Sequence, residues 1–372
     1  MIKIAMEYFY FWFISLFLSY MVILFNYIYF SFKKDTLNNI IGFGTLFFIF
    51  IHILLFIFIM NHDPYLHRAI IPLWLLSLGI PLVVVVFLTL VSTIIVHLYK
   101  KMLKKDFSSI SEKLELKQKS WSRSKKDTFR KLNHVLIFIG LFIVWYIGLY
   151  IVKFYTGSSS GMIPEENNML LLYLRIFNEQ DSIFEVLFAL GWFYYLLFFF
   201  FYTLCLIMIV NEFTRKSKLF SFPFNIFPKL YFNIEETESY GTYLYFAIGQ
   251  MFAAFICPPM VFFAILGLSS ISDLITSQVG IRFGKHYIFW NNEKTWEGSL
   301  GGTIISFGIC FCFVGIYWSL IFAFAFLIFD VFTNKPIKLS DNLLIPIGCA
   351  LIYIFIRFFF NFSFYTIILE WI

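Results

Sequence analysis

Long apolar runs separated by short polar stretches set the architecture of this chain. A run of roughly 20 apolar residues is enough to cross a bilayer core as helix, and about nine such runs recur. They cover 8–32, 40–60, 70–99, 134–155, 183–210, 243–256, 259–275, 303–329 and 343–360. The pattern predicts an all-α, polytopic transmembrane bundle. The sixth and seventh runs are short and flank Cys257-Pro258-Pro259. Proline cannot donate into the helix ladder, so a tight turn or a broken helix is expected there.

Composition agrees. Of the residues, 60% are hydrophobic and 13% charged, against about 25% charged in soluble proteins. The 54 phenylalanines read as lipid-facing filler. The cysteines at 205, 257, 310, 312 and 349 lie in or beside apolar runs without Cys-x-x-Cys spacing, so neither a disulfide nor a metal site is expected of them. One Lys precedes a first run long enough to span, which is not the pattern of a cleavable signal.

Charge orients the bundle. Residues 100–131 hold twelve Lys/Arg against four Asp/Glu, and residues 156–182 hold one Arg against four acids. The positive-inside rule places the first segment in the cytoplasm and the second outside. Threading the runs from there puts the N-terminus outside, the C-terminus inside, and the loops 211–242 and 279–302 inside. The basic segment is expected on anionic lipid headgroups rather than on nucleic acid. The expected organisation is accessory spans over 1–99, a basic juxtamembrane segment over 100–131, and a catalytic transmembrane domain over 132–372.

Candidate chemistry concentrates between Leu268 and Gly302. Asp273, Arg282, Lys285, His286, Lys294 and Glu297 crowd there with glycines at 280, 284, 298, 301 and 302. Carboxylates suit a hard divalent cation, whereas Lys, Arg and glycine backbone suit phosphate oxygens. Asp273 sits among Ser269, Ser270, Ser272, Thr276 and Ser277. A carboxylate at membrane depth is costly, so a metal ligand or general base is expected, with an ion pair to Arg282 or Lys285 as the structural alternative. Gly280-x-x-x-Gly284-Lys285 could admit a phosphate. Lys294-Thr295-Trp296-Glu297-Gly298-Ser299 opens the eighth run, where a helix N-terminus favours anions; capping of that helix is the bland reading. Arg130, Lys131 and His134 open the fourth run. Asp341 and Asn342 open the last, where either is also a good N-cap. Glu235, Glu236 and Glu238 precede the sixth.

These pieces, in this order, resemble the CTP-dependent lipid-alcohol kinases, the group of dolichol kinase, phytol kinase and CTP-using diacylglycerol kinase. Arg130-Lys131-x-x-His134 resembles the family's Arg-Lys-x-x-His entry. Asp273 through Gly280-x-x-x-Gly284-Lys285 resembles its Gly-Asp-x-x-Ala-x-x-x-Gly-x-x-x-Gly-Lys block, with Ser272 in place of Gly and Thr276 in place of Ala. Lys294 to Ser299 resembles its Lys-Ser/Thr-x-Glu-Gly-Ser, and Asp341-Asn342-Leu343-x-x-Pro346 its late Asp-Asn-Leu-x-x-Pro. Asp330 stands where the family often has Glu.

The resemblance implies transfer of the terminal phosphate of CTP to a membrane lipid alcohol, a polyprenol or dolichol before phytol or diacylglycerol. It implies Mg²⁺ held by Asp273 and Glu297, phosphates held by Arg282, Gly284, Lys285, Lys294, Thr295, Gly298 and Ser299, and Asp273 or Asp341 orienting the hydroxyl. Arg130, Lys131, His134, Glu236 and Asn342 would support the site, which would face the cytoplasm from the plasma membrane or endoplasmic reticulum. A cytidylyltransferase making a CDP-activated lipid is the enzymatic alternative, suggested by Lys-Thr-Trp-Glu-Gly with Gly301-Gly302. A transporter is the non-enzymatic one, disfavoured by few ionisable residues deep within the runs. Nine-span threading puts Asp341 at the end opposite the other residues. Either the eighth run breaks into a hairpin near Ser319, or Asp341 is structural.

Overall fold

The computed structural model describes residues 2–31, 36–62, 74–103, 120–156, 192–217, 240–333, 335–363 and 368. In chain order these form α1 (Ile2–Ser31), α2 (Thr36–His62), a π-helical turn (Leu75–Gly79) leading into α3 (Ile80–Leu103), α4 (Arg123–Thr156), α5 (Trp192–Ser217), α6 (Thr242–Ile256) and α7 (Pro259–Gly267). A second π turn (Leu268–Ser272) continues α7 into α8 (Asp273–Phe283). A hairpin of β1 (Tyr287–Ile288) and β2 (Asn291–Thr295) follows, then α9 (Trp296–Phe332) and α10 (Asp341–Phe360). Seven helices of the described residues are long and apolar enough to cross a bilayer, with shorter apolar helices at Leu197–Phe213 and Thr242–Ile256. The protein is an all-α integral membrane bundle.

The chain divides into two compact units, one of Met1–Trp121 with Phe199–Ile248 and one of Ser122–Phe198 with Gly249–Ile372. In the first, α1 packs on α2 through the stacked rings of Tyr20 and Phe50, 4.0 Å apart. The Tyr202 hydroxyl lies 2.5 Å from that of Tyr20 and 3.0 Å from the Ser77 carbonyl in the first π turn. Glu212 is buried, and it accepts hydrogen bonds from the Tyr243 hydroxyl and the Gly241 N–H.

The second unit holds nearly all the candidate residues. Its apolar heart is a ring cluster of Phe142, Trp145, Phe263 and Phe313, drawn from α4, α7 and α9. The proline pair breaks the chain as expected: Pro258 is extended (φ −66°, ψ 159°) and α7 starts at Pro259.

Helix α9 overturns the simple threading. At 37 residues, a straight helix would run about 55 Å, nearly twice a bilayer core of ~30 Å. Instead Gly315 takes φ 79°, ψ 177° inside it, a conformation open essentially only to glycine, and the chain folds back. The break falls a few positions before Ser319, which itself lies in helix and bonds the Ile316 carbonyl. The two arms, 296–314 and 316–332, are antiparallel, because Ser299 near the start bonds Asp330 near the end. Asp341 therefore lies at the same end as Lys294, 3.9 Å from it, not opposite. With the extra pass α10 leads away from that end, and Ser363 accepts a bond from Trp318 near the Gly315 turn.

Candidate functional site

One end of the second unit gathers charged side chains from α4, α8, β2, α9 and α10. Asp273 enters directly after the π turn at Leu268–Ser272; such turns displace the helical register and recur at functional sites. Its partner is neither Arg282 nor Lys285. Buried Lys131 of α4 donates to the Asp273 carboxylate Oδ1 at 2.9 Å and to its backbone carbonyl at 3.0 Å. No hydrogen bond among the described residues reaches Asp273 Oδ2. His134 follows Lys131 by three positions, hence on the same face of α4.

The first turn of α4 is latched onto α8. Asp127 accepts bonds from Ser277 at 2.5 Å and Gln278 at 3.3 Å and pairs with Arg130 at 3.4 Å. Ser124 bonds Gln278 at 2.6 Å. This latch fixes the height of Lys131 against Asp273. Arg282 is exposed and donates to Ser124 at 3.4 Å, and Lys285 is exposed too.

The second charge cluster is built on the fold-back. Lys294, in β2, reaches Asp330 Oδ1 at 2.5 Å. Asp330 is fully buried, and its other oxygen accepts from Ser299 at 2.5 Å. Burial by itself would lower the pKa of Lys294. The carboxylates of Asp330, Asp341 and Asp273 more than offset that and hold its ammonium above the usual lysine range. Asn291 ties β2 to the C-terminal end of α9, donating to the Val331 and Thr333 carbonyls at 3.3 and 2.7 Å. Asp330 was not among the expected site residues. The available signal was a carboxylate inside an apolar run.

Glu297 points elsewhere. Both its oxygens accept the His286 backbone N–H at 3.2 Å, and one lies 2.6 Å from His286 Nδ1. With Trp296 N–H bonded to the His286 carbonyl, this contact closes the base of the β-hairpin. Thr295 caps α9 by accepting from the Gly298 N–H at 3.3 Å. Ser340 occupies the N-cap position of the last helix without a side-chain capping bond, with Asp341 and Asn342 inside the first turn and the Asn342 N–H donating to Asp341 Oδ1 at 2.9 Å. Glu236 lies outside the described residues, as does half of the basic segment 100–131.

The glycines serve the α8–α9 crossing. A Cβ on Gly284 would meet the Gly280 carbonyl at 2.3 Å and Thr295 Oγ1 at 2.6 Å, and one on Gly298 would meet the Thr276 carbonyl at 2.7 Å. Backbone and the Thr295 side chain fill the space where a Cβ of Gly284 or Gly298 would sit.

No family model, curated protein or solved structure matches the chain. Its chemistry has to be read from the site alone. Among the described residues no group of three or more His, Cys, Asp or Glu could cage a metal. Magnesium does not demand one, since it commonly takes one or two carboxylates plus substrate phosphates. Asp273 and Asp341 fit that pattern, each facing Lys294's field. Glu297, turned to His286, does not share a contact with Asp273 in the described residues.

Two further features stand out. The hydroxyls of Ser270, Ser272 and Thr276 and both ends of the Gln250 amide are buried without a hydrogen-bond partner among the described residues. Each such group costs about 1–3 kcal/mol when left unmet. The β-hairpin, between the ends of two membrane helices, exposes Tyr287, Phe289 and Trp290, the side chains of a membrane–water interface.

Proposed function

We propose that the protein transfers the terminal phosphate of CTP to the hydroxyl of a membrane lipid alcohol, a polyprenol or dolichol first. The observation that carries this is the fold-back of α9. It brings Lys294, Asp330 and Asp341 to the end where Lys131 holds Asp273. Alternating lysines and carboxylates at the edge of a bilayer suit a reaction between a water-borne polyanion and a lipid-borne hydroxyl. The choice of CTP and lipid alcohol comes from the motif resemblance. The basic segment before α4 favours the cytoplasm for this end, where nucleotide is available.

Phosphoryl transfer asks the protein mainly for positioning and charge stabilisation. Lys294 is held charged by its carboxylate neighbours and presents an ammonium to the donor phosphates. Lys131 occupies one oxygen of Asp273. The other, Oδ2, is available to take the proton of the acceptor hydroxyl as its oxygen bonds to the terminal phosphorus and the bond to the CDP leaving oxygen breaks. Mg²⁺ on the nucleotide, approached by Asp273 and Asp341, would neutralise charge on the phosphates. Ser299 and Asp330 fix Lys294 from behind. Leu132, Leu136, Leu300 and Ile304, on the site helices, are exposed, so a lipid can approach sideways from the bilayer.

Product analysis tests the reading. Purified protein in bilayers receives CTP labelled at the γ- or the α-phosphate, with prenols, diacylglycerol or phosphatidate. Label from the γ-position in the lipid, with CDP released, is the expected result. Label from the α-position with pyrophosphate would mean cytidylyl transfer instead. No labelled lipid from any acceptor would overturn both.

A further inference from the structure

The β-hairpin between α8 and α9 carries the wrong tip for water. Ile288 pairs with Asn291, so Phe289 and Trp290 are its two turn residues. Such turns ordinarily take Gly, Asn or Asp. Here Phe289 is 97% exposed, and Trp290 stays exposed although its ring stacks on Phe332, centroids 5.7 Å apart.

These rings continue the lipid-facing surface of α9. On its first arm the exposed Ile304, Leu300 and Trp296 recur every four positions, on one helix face, and lead up to the hairpin. On its second arm the exposed Leu320, Phe324 and Ile328 do the same. The next step of four is Phe332, on which Trp290 stacks. A bare apolar stripe on a membrane-crossing helix faces lipid tails, and Trp and Tyr mark the level where tails give way to headgroups. Both stripes end at the hairpin. Charge completes the pattern. Among the described residues of 282–340, the exposed Lys and Arg are Arg282, Lys285, Lys335 and Lys338, against Glu293 as the exposed acid. Glu293 is already matched by Lys335 at 3.6 Å. An excess of cations beside a bilayer attracts anionic lipids.

We propose that the hairpin binds the anionic headgroup layer of the membrane the protein spans. Phe289 and Trp290 sit among headgroups and the first acyl carbons, and Arg282, Lys285 and Lys338 hold lipid phosphates. Strand β2 also carries Lys294, so this docking keeps the charged cluster at headgroup level. It follows from exposure and charge, whatever reaction the site performs.

The test places a bimane fluorophore on Phe289→Cys in the full-length protein, reconstituted in phosphatidylcholine with or without phosphatidylglycerol. Four native thiols are buried and Cys312 is half-buried; the unsubstituted protein, labelled in parallel, gives the background. Quenchers are a nitroxide on the lipid headgroup, a nitroxide at mid-chain, and iodide in the water. The headgroup nitroxide is expected to quench at least about twofold more than either of the others. Phosphatidylglycerol should raise that quenching further. Lys285→Gln/Lys338→Gln should abolish this rise and keep the quenching seen in phosphatidylcholine alone. Dominant quenching by iodide would put the tip in water and overturn the proposal. Shielding from all three quenchers would mean that protein, such as a second copy, covers the tip, and would overturn it too. A phosphatidylglycerol effect that is absent, or that survives the double variant, would overturn the anionic headgroup as the partner.

Discussion

Lys294 and Asp330 touch at 2.5 Å although 36 positions separate them, nearly all of them helical. As one straight helix those positions would place the two residues about 50 Å apart. Their contact is the product of Gly315, and it makes the two arms of α9 present their outer ends to one another.

Replacing Gly315 should therefore be costly. Gly315→Ala forces a side chain into a glycine-only backbone conformation, a penalty of about 1–3 kcal/mol. Gly308→Ala in the same helix meets open space and should be neutral or mildly stabilising, since alanine is the better helix former. Melting temperatures of the two variants in detergent check this; equal effects would contradict the turn.

The Lys131–Asp273 pair should behave as a buried ion pair. Lys131→Met strands a buried carboxylate and should cost about 3–5 kcal/mol. Adding Asp273→Asn should recover much of that loss, while abolishing turnover. A double-mutant cycle on unfolding gives the coupling. Additive losses would mean the pair is not formed.

Asp330→Asn should move the alkaline limb of the pH–rate profile to lower pH. Burial pulls the Lys294 pKa down and its carboxylates hold it up; removing one lets burial gain. The sign for stability follows: a raised lysine pKa contributes fully below its unfolded value and fades as pH rises through the folded one. An unmoved limb would separate Lys294 from the reaction.

Glu297 and His286 should act as one contact. Glu297→Gln and His286→Ala each loosen the hairpin base and should each lower kcat/KM a few-fold, in keeping with a partly exposed pair. The double variant should be little worse than either single. A drop of ~100-fold or more for Glu297→Gln alone, partly rescued by extra Mg²⁺, would instead return it to the metal.

The spans were legible because a 20-residue apolar run in a bilayer has one economical conformation. The proline pair at 258–259 was legible for an equally local reason, the missing N–H. The break in the eighth run was legible only as one of two alternatives, near Ser319; its seat at Gly315 was not, since one glycine in an apolar run carries no polar interruption and glycine is common in such helices. Asp273, Lys294 and Asp341 could be singled out as charges beside apolar sequence. Their partners could not, because Lys131 is 142 positions from Asp273 and only the folded chain makes them neighbours. Glycines 284 and 298 carry a packing role that the sequence did not show: the feature that admits a phosphate equally admits another backbone, and here α8 and α9 use it.

The most direct test of the account is steady-state kinetics of Lys294→Ala, with γ-labelled CTP and lipid alcohol varied separately. Lys294 is placed to hold the donor phosphates, and a charge-assisted bond is worth about 1.5–3 kcal/mol. The variant should raise the CTP KM by at least about tenfold and lower kcat, with the lipid KM unchanged. A CTP KM and kcat equal to wild type would contradict the assignment and leave the folded-back end of α9 a purely structural junction.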